Sequence, residues 1–520
     1  KVSVVLGVTG TLELAIPLGA RLGHPIWRKA LREAGIAGER AEAVIRRISN
    51  HYVEWQENSF PGLLGNVAAG RIANRLDLGG TNCVVDAACA SSLSAAHLAS
   101  LELAAGRSDM VVTGGVDSFN DIFMYMCFSK TPALSPTGDS RPFDAKGDGT
   151  ILGEGVGMVV LKRLSDAERD GDSVYAVLKG IGSSSDGRGK AIYAPSAEGQ
   201  VQALSNAYRF SGVSPDTVQL VEAHGTGTKV GDAAELQALS EVYRSSGRTG
   251  AWCALGSVKS NLGHTKAAAG AAGLIKAALA LKHKVLPPTI KVTEPLPGLA
   301  GGETPFYLNT EKRPWLPPAG HPRRAAVSAF GFGGSNFHAV LEEHRPDKTG
   351  TDWDSTVELA AFSAAEPEAL LAFLEAWAAP MTWEEVRLKA FASRSSFDRA
   401  RPLRLCVALE KGKTDTVKLF TELGETLRKN REKGSWTTRE GAAFFRGAPL
   451  GRLAALFPGQ GAQYVGMGRD LACQFPAMQE ALARADAALG EPLSDLLYPR
   501  PVFTPEAAEA AETALRATQA

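Results

Sequence analysis

Thr81-Asn82-Cys83-Val84-Val85-Asp86-Ala87-Ala88-Cys89-Ala90-Ser91-Ser92 is the stretch on which the fold class turns. Thr81 to Val85 is a short apolar, β-branched run that reads as a buried strand. Ala88 to Ala105 is rich in Ala and Leu, reads as a helix and is stopped by Gly106, and Asp109 to Thr113 reads as the next strand. Together they predict a β-α-β unit with a cysteine at its first bend. The pattern returns downstream. Val218 to Glu222 reads as a strand, Gly256-Ser257-Val258 closes another, and Lys266 to His283 is a long helix of small residues. Short β-rich runs alternating with Ala/Leu-rich ones are α/β grammar. A helix made almost wholly of Ala and Gly, as at 267–273, lets another backbone come close, which suits burial between sheets; Ala is also simply a good helix former.

Composition agrees with a globular chain. There are 520 residues, 44% apolar and 22% charged, with 56 Lys+Arg against 56 Asp+Glu. The balance offers no single-sign field for nucleic acid, and the length corresponds to about three domains. Six cysteines without paired short spacing argue against a zinc site and for reduced thiols in the cytoplasm. No run of about eighteen apolar residues exists to span a membrane. Fifty-five glycines without a period mark tight turns and close backbone approaches. The chain enters Val2-Ser3-Val4-Val5-Leu6-Gly7-Val8 directly, and so reads as a slice of something larger.

Residues 1–345 form the first expected domain. Its end is a Pro- and Arg-rich stretch at 311–326, read as a surface loop, then one last strand at Ala325–Ala329 and the bend Gly331-Phe332-Gly333-Gly334. The polar run Asp347–Ser355 marks a boundary. Residues 346–450 predict a small α+β unit: strands at 357–362 and 403–409, helices at 367–378 and 382–393, the second with a Thr382/Glu385 capping box, and a charged, solvated helix at 414–433. A further strand at 453–457 opens a third segment, 451–520, too short for a complete domain.

Three places hold residues suited to covalent chemistry. Cys89 lies at a helix N-terminus, where unpaired N–H groups favour a thiolate and small neighbours leave room for an acyl group. A lone cysteine there is more often a buried structural thiol. His224 follows the strand 218–222, and His264 sits between a strand end and an Ala-rich helix, the counterpart of Cys89 in the other half. Each histidine alone reads equally well as a satisfied core residue. The three together, each at a strand-to-turn junction beside small residues, favour a site. Gly153-Glu154-Gly155-Val156-Gly157 is not a nucleotide loop, because a strand follows it.

With those residues side by side, the sequence resembles the β-ketoacyl synthases of the thiolase superfamily. The resemblance covers roughly 1–345, through DAACASS at 86–92, RPFDAKGDG at 141–149, GEGVG at 153–157, EAHGTGT at 222–228 with GDAAE at 231–235, SVKSNLGHTKAAAG at 257–270 and SAFGFGGSN at 328–336. It implies a duplicated, five-layered α-β-α-β-α fold, with the N-terminal part of the domain missing. Residues 346–450 resemble the linker between ketosynthase and acyltransferase in multidomain synthases, and FPGQGAQ at 457–463 resembles the start of that acyltransferase. The Gly-His-Ser-x-Gly nucleophile motif does not follow it. The forms of 74–93 and 128–135 are closest to iterative polyunsaturated fatty acid or polyketide synthases.

The resemblance assigns roles. Cys89 accepts the acyl group; His224 and His264 stabilise the enolate left when a malonyl thioester loses carbon dioxide; Lys259, held by Glu235, orients the histidine loop. Backbone N–H groups of Cys89 and Phe332 form an oxyanion site, Phe330 and Phe332 gate the thiol with Gly331 and Gly333 as hinge, and Thr226 and Thr228 hold phosphopantetheine. It implies no metal and no cofactor of the chain's own. Acyl carrier protein, acyl and malonyl thioesters and a second copy of the chain are the implied partners, with no nucleic acid or membrane. The competing reading is a non-catalytic docking module of the same shape.

Overall fold

The computed structural model describes all residues except 11–19, 53, 55, 132, 189, 190, 193, 301, 319, 449–453, 457, 458, 460, 490, 491 and 518–520. It divides into two compact units, Lys1–Thr351 with Gln463–Ala520, and Asp352–Ala462.

In the first unit, strands β1 (Val2–Val8), β2 (Asn82–Val85), β3 (Met110–Asp117) and β4 (Gly155–Lys162) make a four-stranded sheet in the order β2-β1-β3-β4. β1 pairs in parallel with both β2 and β3, and β4 runs antiparallel to β3. Strands β5 (Val177–Ser185), β6 (Leu220–Glu222), β7 (Cys253–Gly256), β9 (Phe306–Leu308), β11 (Arg324–Gly331) and β12 (Ser335–Glu342) make the second sheet, in the order β5-β12-β11-β6-β7-β9. The strand expected at 325–329 is therefore not the last of its domain: the glycine bend turns it back into β12, which pairs along its whole length with β11 and β5.

Two helices lie between the sheets. Ser91–Ala104 packs on β1 and β3, and Ala269–His283 packs on β11, β6 and β4. Their closeness explains their composition. Ser92 Oγ accepts the Ala271 N–H at 2.8 Å, and a methyl group on Gly270 would lie 2.8 Å from Leu93 Cγ. Bulkier side chains here would force the sheets apart. Helix Asn66–Arg75 covers the outside of the first sheet, and Ala197–Ser211 with Lys229–Arg244 covers the second. The layers thus run α-β-α-β-α.

The stretch 311–326 departs from the expected surface loop. Arg313–Pro314 forms a short strand, β10, against β8 (Val285–Leu286), and Trp315 is 2% exposed with its indole N–H on Gln219 Oε1 at 2.8 Å. A Pro- and Arg-rich composition reads as solvated, and Glu311, Lys312, Pro318, Gly320 and His321 are exposed, but tertiary partners bury Arg313 to Trp315: the Arg313 guanidinium donates to the Tyr498 carbonyl at 2.5 and 3.0 Å. Tyr498 belongs to the segment from Gln463 onward, whose helices Arg469–Gln474, Pro476–Leu489, Leu493–Leu497 and Pro505–Ala517 share a small core. Of the strand expected at 453–457, Leu453 and Phe457 lie outside the described residues, and Ala454–Leu456 are not a strand.

In the second unit, β13 (Val357–Ala364), β14 (Leu403–Glu410), β15 (Ser435–Thr437) and β16 (Ala442–Arg446) make a four-stranded antiparallel sheet in the order β13-β14-β16-β15. Helix Trp383–Ser395 begins at the expected capping box, both halves formed. Helix Thr416–Lys429 is less solvated than its charge implied, since Leu419, Phe420, Leu423 and Leu427 line the core. Among the described residues no helix is long and apolar enough to cross a membrane.

Candidate active site

The two strand-to-helix junctions converge. At the first, β2 runs into a 3-10 turn, Ala88–Ala90, and then into helix Ser91–Ala104; Ala88 has φ +50°. That is a costly conformation for a side chain larger than hydrogen. Asp86 Oδ1 accepts the Ala88 N–H at 2.9 Å, Ser91 Oγ accepts the Ala87 N–H at 2.9 Å, and Thr9 Oγ1 donates to Asp86 at 2.8 Å. The turn places Cys89 in a site where it is 6% exposed. The glycine bend presses on this turn from β11: a Cβ on Gly331 would lie 2.1 Å from the Ala87 carbonyl oxygen. The Phe332 N–H, carried on this bend, favours the charged form of the thiol. Burial pushes the Cys89 thiol up, and the Lys259 charge and the N–H groups of Phe332 and Cys89 itself pull it down.

At the second junction, β7 leads through Ser257 to Lys259 and His264, and then into another 3-10 turn, Lys266–Ala268, that opens helix Ala269–His283. His264 is fixed by its backbone to the 151–153 strip: its N–H donates to Ile151 O at 2.7 Å, and Gly153 N–H donates to its carbonyl at 3.0 Å. The GEGVG motif thus carries a wall of the site. His224, ending β6, lies with its ring 5.3 Å from that of His264 and 5.7 Å from Phe330.

Hydrogen bonding assigns the tautomers. The Lys266 N–H donates to His264 Nδ1 at 3.0 Å, and the Phe330 N–H donates to His224 Nδ1 at 3.4 Å. A backbone N–H can only donate, so in both neutral rings the proton is on Nε2. Burial, and then the Lys259 charge, hold both imidazoles well below the usual histidine range. Each ring is therefore a neutral N–H donor across the whole physiological range.

Lys259 is buried, donates to the His224 carbonyl and approaches His224 Nδ1 at 3.5 Å. Burial lowers its pKa; Glu235 and Glu222 are the largest influences raising it. Glu235 was expected to hold the lysine. Its hydrogen bonds go instead to the chain carrying His224: Oε1 accepts the His224 N–H and Oε2 the Gly225 N–H, each at 2.8 Å. It acts on Lys259 through charge and on His224 through backbone position.

Thr226 Oγ1 and Thr228 Oγ1 lie 2.8 Å apart, and Thr228 caps helix Lys229–Arg244. Both are half-buried. Phe330 is buried, whereas Phe332 is 46% exposed and stacks on Phe128 at 6.3 Å. Gly333 has φ +92°, a conformation that favours glycine.

Four residues escaped the sequence reading. Asp232 accepts the N–H groups of Phe143 (2.7 Å) and Gly227 (3.1 Å), and its pKa is pushed up to about 6 by burial. Glu222 accepts the Val258 N–H and pairs with Lys276 at 2.7 Å. Asp117 and Lys266 form a second buried ion pair. Asp232 and Glu222 stood inside quoted motifs and were findable as acids in otherwise apolar surroundings; Asp117 carried no local signal.

A cysteine and a neutral imidazole before the two central helices, with a second neutral imidazole after β6, define an α/β enzyme of the thiolase-like fold. Models of the beta-ketoacyl synthase N-terminal domain (residues 29–167), C-terminal domain (175–293) and the ketoacyl-synthetase C-terminal extension (296–401) match the chain. It is 42% identical over 539 aligned residues to a polyunsaturated fatty acid synthase of Thraustochytrium sp., covering 97% of this chain and 19% of that protein. It is 42% identical over 335 residues to the polyketide synthase PksL of Bacillus subtilis, covering 63% and 7%. The chain spans less than a quarter of the length of these relatives. The ketosynthase from module 6 of the Bacillus subtilis bacillaene synthase matches with TM-score 0.54 and 31% identity, over 90% of this chain and 75% of that one. The oxazolomycin ketosynthase domain of Streptomyces albus matches with TM-score 0.56 and 30% identity, over 83% and 69%. The chain belongs to the β-ketoacyl synthase family, acyltransferases that form carbon–carbon bonds.

Proposed function

We propose that this chain performs decarboxylative Claisen condensation within a multidomain synthase of polyunsaturated fatty acids or polyketides. The Cys89 thiolate attacks an acyl thioester, forming a new thioester and releasing the carrier thiol. A malonyl thioester then loses carbon dioxide, and the enolate attacks the acyl-Cys89 carbonyl. The product is a β-ketoacyl thioester on the carrier, and the Cys89 sulfur leaves as thiolate. The Nε2–H groups of His224 and His264 meet the charge that develops on the malonyl thioester oxygen. The N–H groups of Cys89 and Phe332 do the same for the acyl carbonyl. Lys259 and Glu235 hold the histidine loop in place.

One observation carries this reading: both histidines accept backbone N–H bonds at Nδ1, so both are neutral donors at Nε2. An enolate needs that pair; a general base acting through Nε2 would need the other tautomer, with the proton on Nδ1. Thr226 and Thr228 serve the phosphopantetheine arm, Phe330 and Phe332 gate the thiol over the hinge Gly331 and Gly333, and acyl carrier protein delivers both thioesters. The chain works in the cytoplasm as a homodimer, without a metal or cofactor of its own. Relatives named as polyunsaturated fatty acid and polyketide synthases support the product classes.

The test is carbon gain: incubate the chain with an acyl donor and malonyl carrier protein and follow the β-ketoacyl product by mass. Product from the parent and none from Cys89→Ala is expected. No product from the parent would overturn the reading in favour of a docking module, and equal product from both would overturn the role given to Cys89.

A further inference from the structure

Asp117 closes β3, and Lys266 opens the 3-10 turn before the second central helix. Their side chains are 3% and 5% exposed, with Nζ 2.9 Å from Oδ1. Lys266 Nζ also donates to Asn120 Oδ1 at 2.7 Å and to the Gly153 carbonyl at 3.2 Å, so three acceptors surround its three protons. Asp117 in turn accepts the Ala267 N–H at 3.3 Å and the Phe119 N–H at 3.4 Å, and the Asn120 N–H is tied to Glu154 Oε1 at 2.9 Å. A buried ion pair of this kind contributes little stability beyond what apolar residues of the same volume would give. Its position suggests what else it does.

Lys266 has φ +46°, a conformation that costs a non-glycine residue on the order of 1 kcal/mol or more. In that conformation its N–H donates to His264 Nδ1. The side-chain clamp on Asp117, Asn120 and Gly153 is what resists relaxation of the turn. The same pair acts at a distance on both reactive groups. The Asp117 charge opposes ionisation of Cys89, against the Lys259 charge and the Phe332 N–H, and the Lys266 charge joins Lys259 in keeping His264 neutral.

We propose that the buried Asp117–Lys266 pair is a positioning device joining the two reactive junctions: it holds the Lys266 backbone where it orients His264, and it fixes a carboxylate within electrostatic reach of the Cys89 thiol. This rests on the reading of Cys89 and His264 given above. The charged groups around them are Asp117, Lys259 and Lys266, with Glu222, Asp232 and Glu235 acting on Lys259. No carrier or substrate is needed for the device to exist, so its effect on Cys89 can be tested without turnover and its effect on the His264 junction by turnover.

The experiment uses the full chain as parent, Asp117→Asn, Lys266→Gln and the double variant. Iodoacetamide alkylation of Cys89, in which the thiolate displaces iodide, is read on the Cys89 peptide by mass spectrometry from about pH 7 to 11. Removing the carboxylate is expected to lower the alkylation midpoint by about one unit, and removing the ammonium to raise it by a similar amount. A purely packing role would not give opposite signs. The double variant, neutral and nearly isosteric, is expected to alkylate near the parent midpoint yet condense about tenfold more slowly in kcat with little change in KM, because the clamp on Lys266 is gone. If either single variant loses its cooperative melt, the double variant carries the test alone. Single-variant midpoints that stay put or move the same way, or a double variant with parental kcat, would overturn the inference. Acyl loading that survives in Cys89→Ala would instead overturn the reading it rests on.

Discussion

The two junctions are built on one plan and equipped differently. Each is a strand, a 3-10 turn opened by a residue at positive φ, and a buried helix of small residues: Ala88 at +50° before Ser91–Ala104, Lys266 at +46° before Ala269–His283. In the first, the second residue of the turn is Cys89. In the second, that place belongs to Ala267, whose N–H is taken by Asp117. His264 is therefore not the positional counterpart of Cys89, as its place before the helix implied; it stands three residues earlier and is held from behind by the turn. One junction sets a buried thiol at the start of its helix, and the other uses the same geometry to aim a neutral imidazole.

Substitutions can break this division. Cys89→Ala should abolish condensation, by about 10⁴-fold or more, with acyl loading read by intact mass. His264→Ala should lower carbon dioxide release from a malonyl thioester by about 10²- to 10³-fold while acyl loading persists. Next come the glycines that let each junction close. A Cβ on Gly331 would lie 2.1 Å from Ala87 O, and one on Gly115 would lie 2.6 Å from Ala267 O. Gly331→Ala should slow loading and Gly115→Ala should slow carbon dioxide release, each with about 1–3 kcal/mol of lost stability in denaturant titrations.

His338 sharpens the contrast as a buried histidine belonging to neither junction. Its ring bonds Ser328 Oγ at 2.9 Å and Tyr208 OH at 3.3 Å, and burial pushes its pKa down to about 3. The folded group stays neutral while the unfolded one protonates below its ordinary 6.5, so its contribution is present above pH 6.5 and is lost as pH falls towards 3. Relative to His338→Gln, the parent should lose about 1.4 kcal/mol more per pH unit in that window, measured by denaturant titration at pH 7.5 and 5.5. The smallest effect belongs to the second unit, where Thr382→Ala should cost about 1 kcal/mol through the lost cap and leave both half-reactions unchanged.

Local pattern made much of this legible. The β-α-β unit at 81–113, the helix from 266, the capping box at Thr382 and the shared strand-to-turn setting of Cys89, His224 and His264 are marked by period, small residues and turn chemistry. What stayed hidden depends on distant partners. β12 is masked in the sequence because the glycine bend looks like an end; burial of Arg313 and Trp315 needs Tyr498 and Gln219; Glu235 binds the His224 backbone, not the lysine. Asp117 has nothing near it in sequence to mark it, since its partner Lys266 meets it only when the second central helix is laid against β3.

The division of labour is tested most directly by measuring acyl loading, by intact mass, and carbon dioxide release from a malonyl thioester in the same samples of Cys89→Ala and His264→Ala. Cys89→Ala is expected to lose loading and keep carbon dioxide release, and His264→Ala to do the reverse. Loss of the same half-reaction in both variants would contradict it.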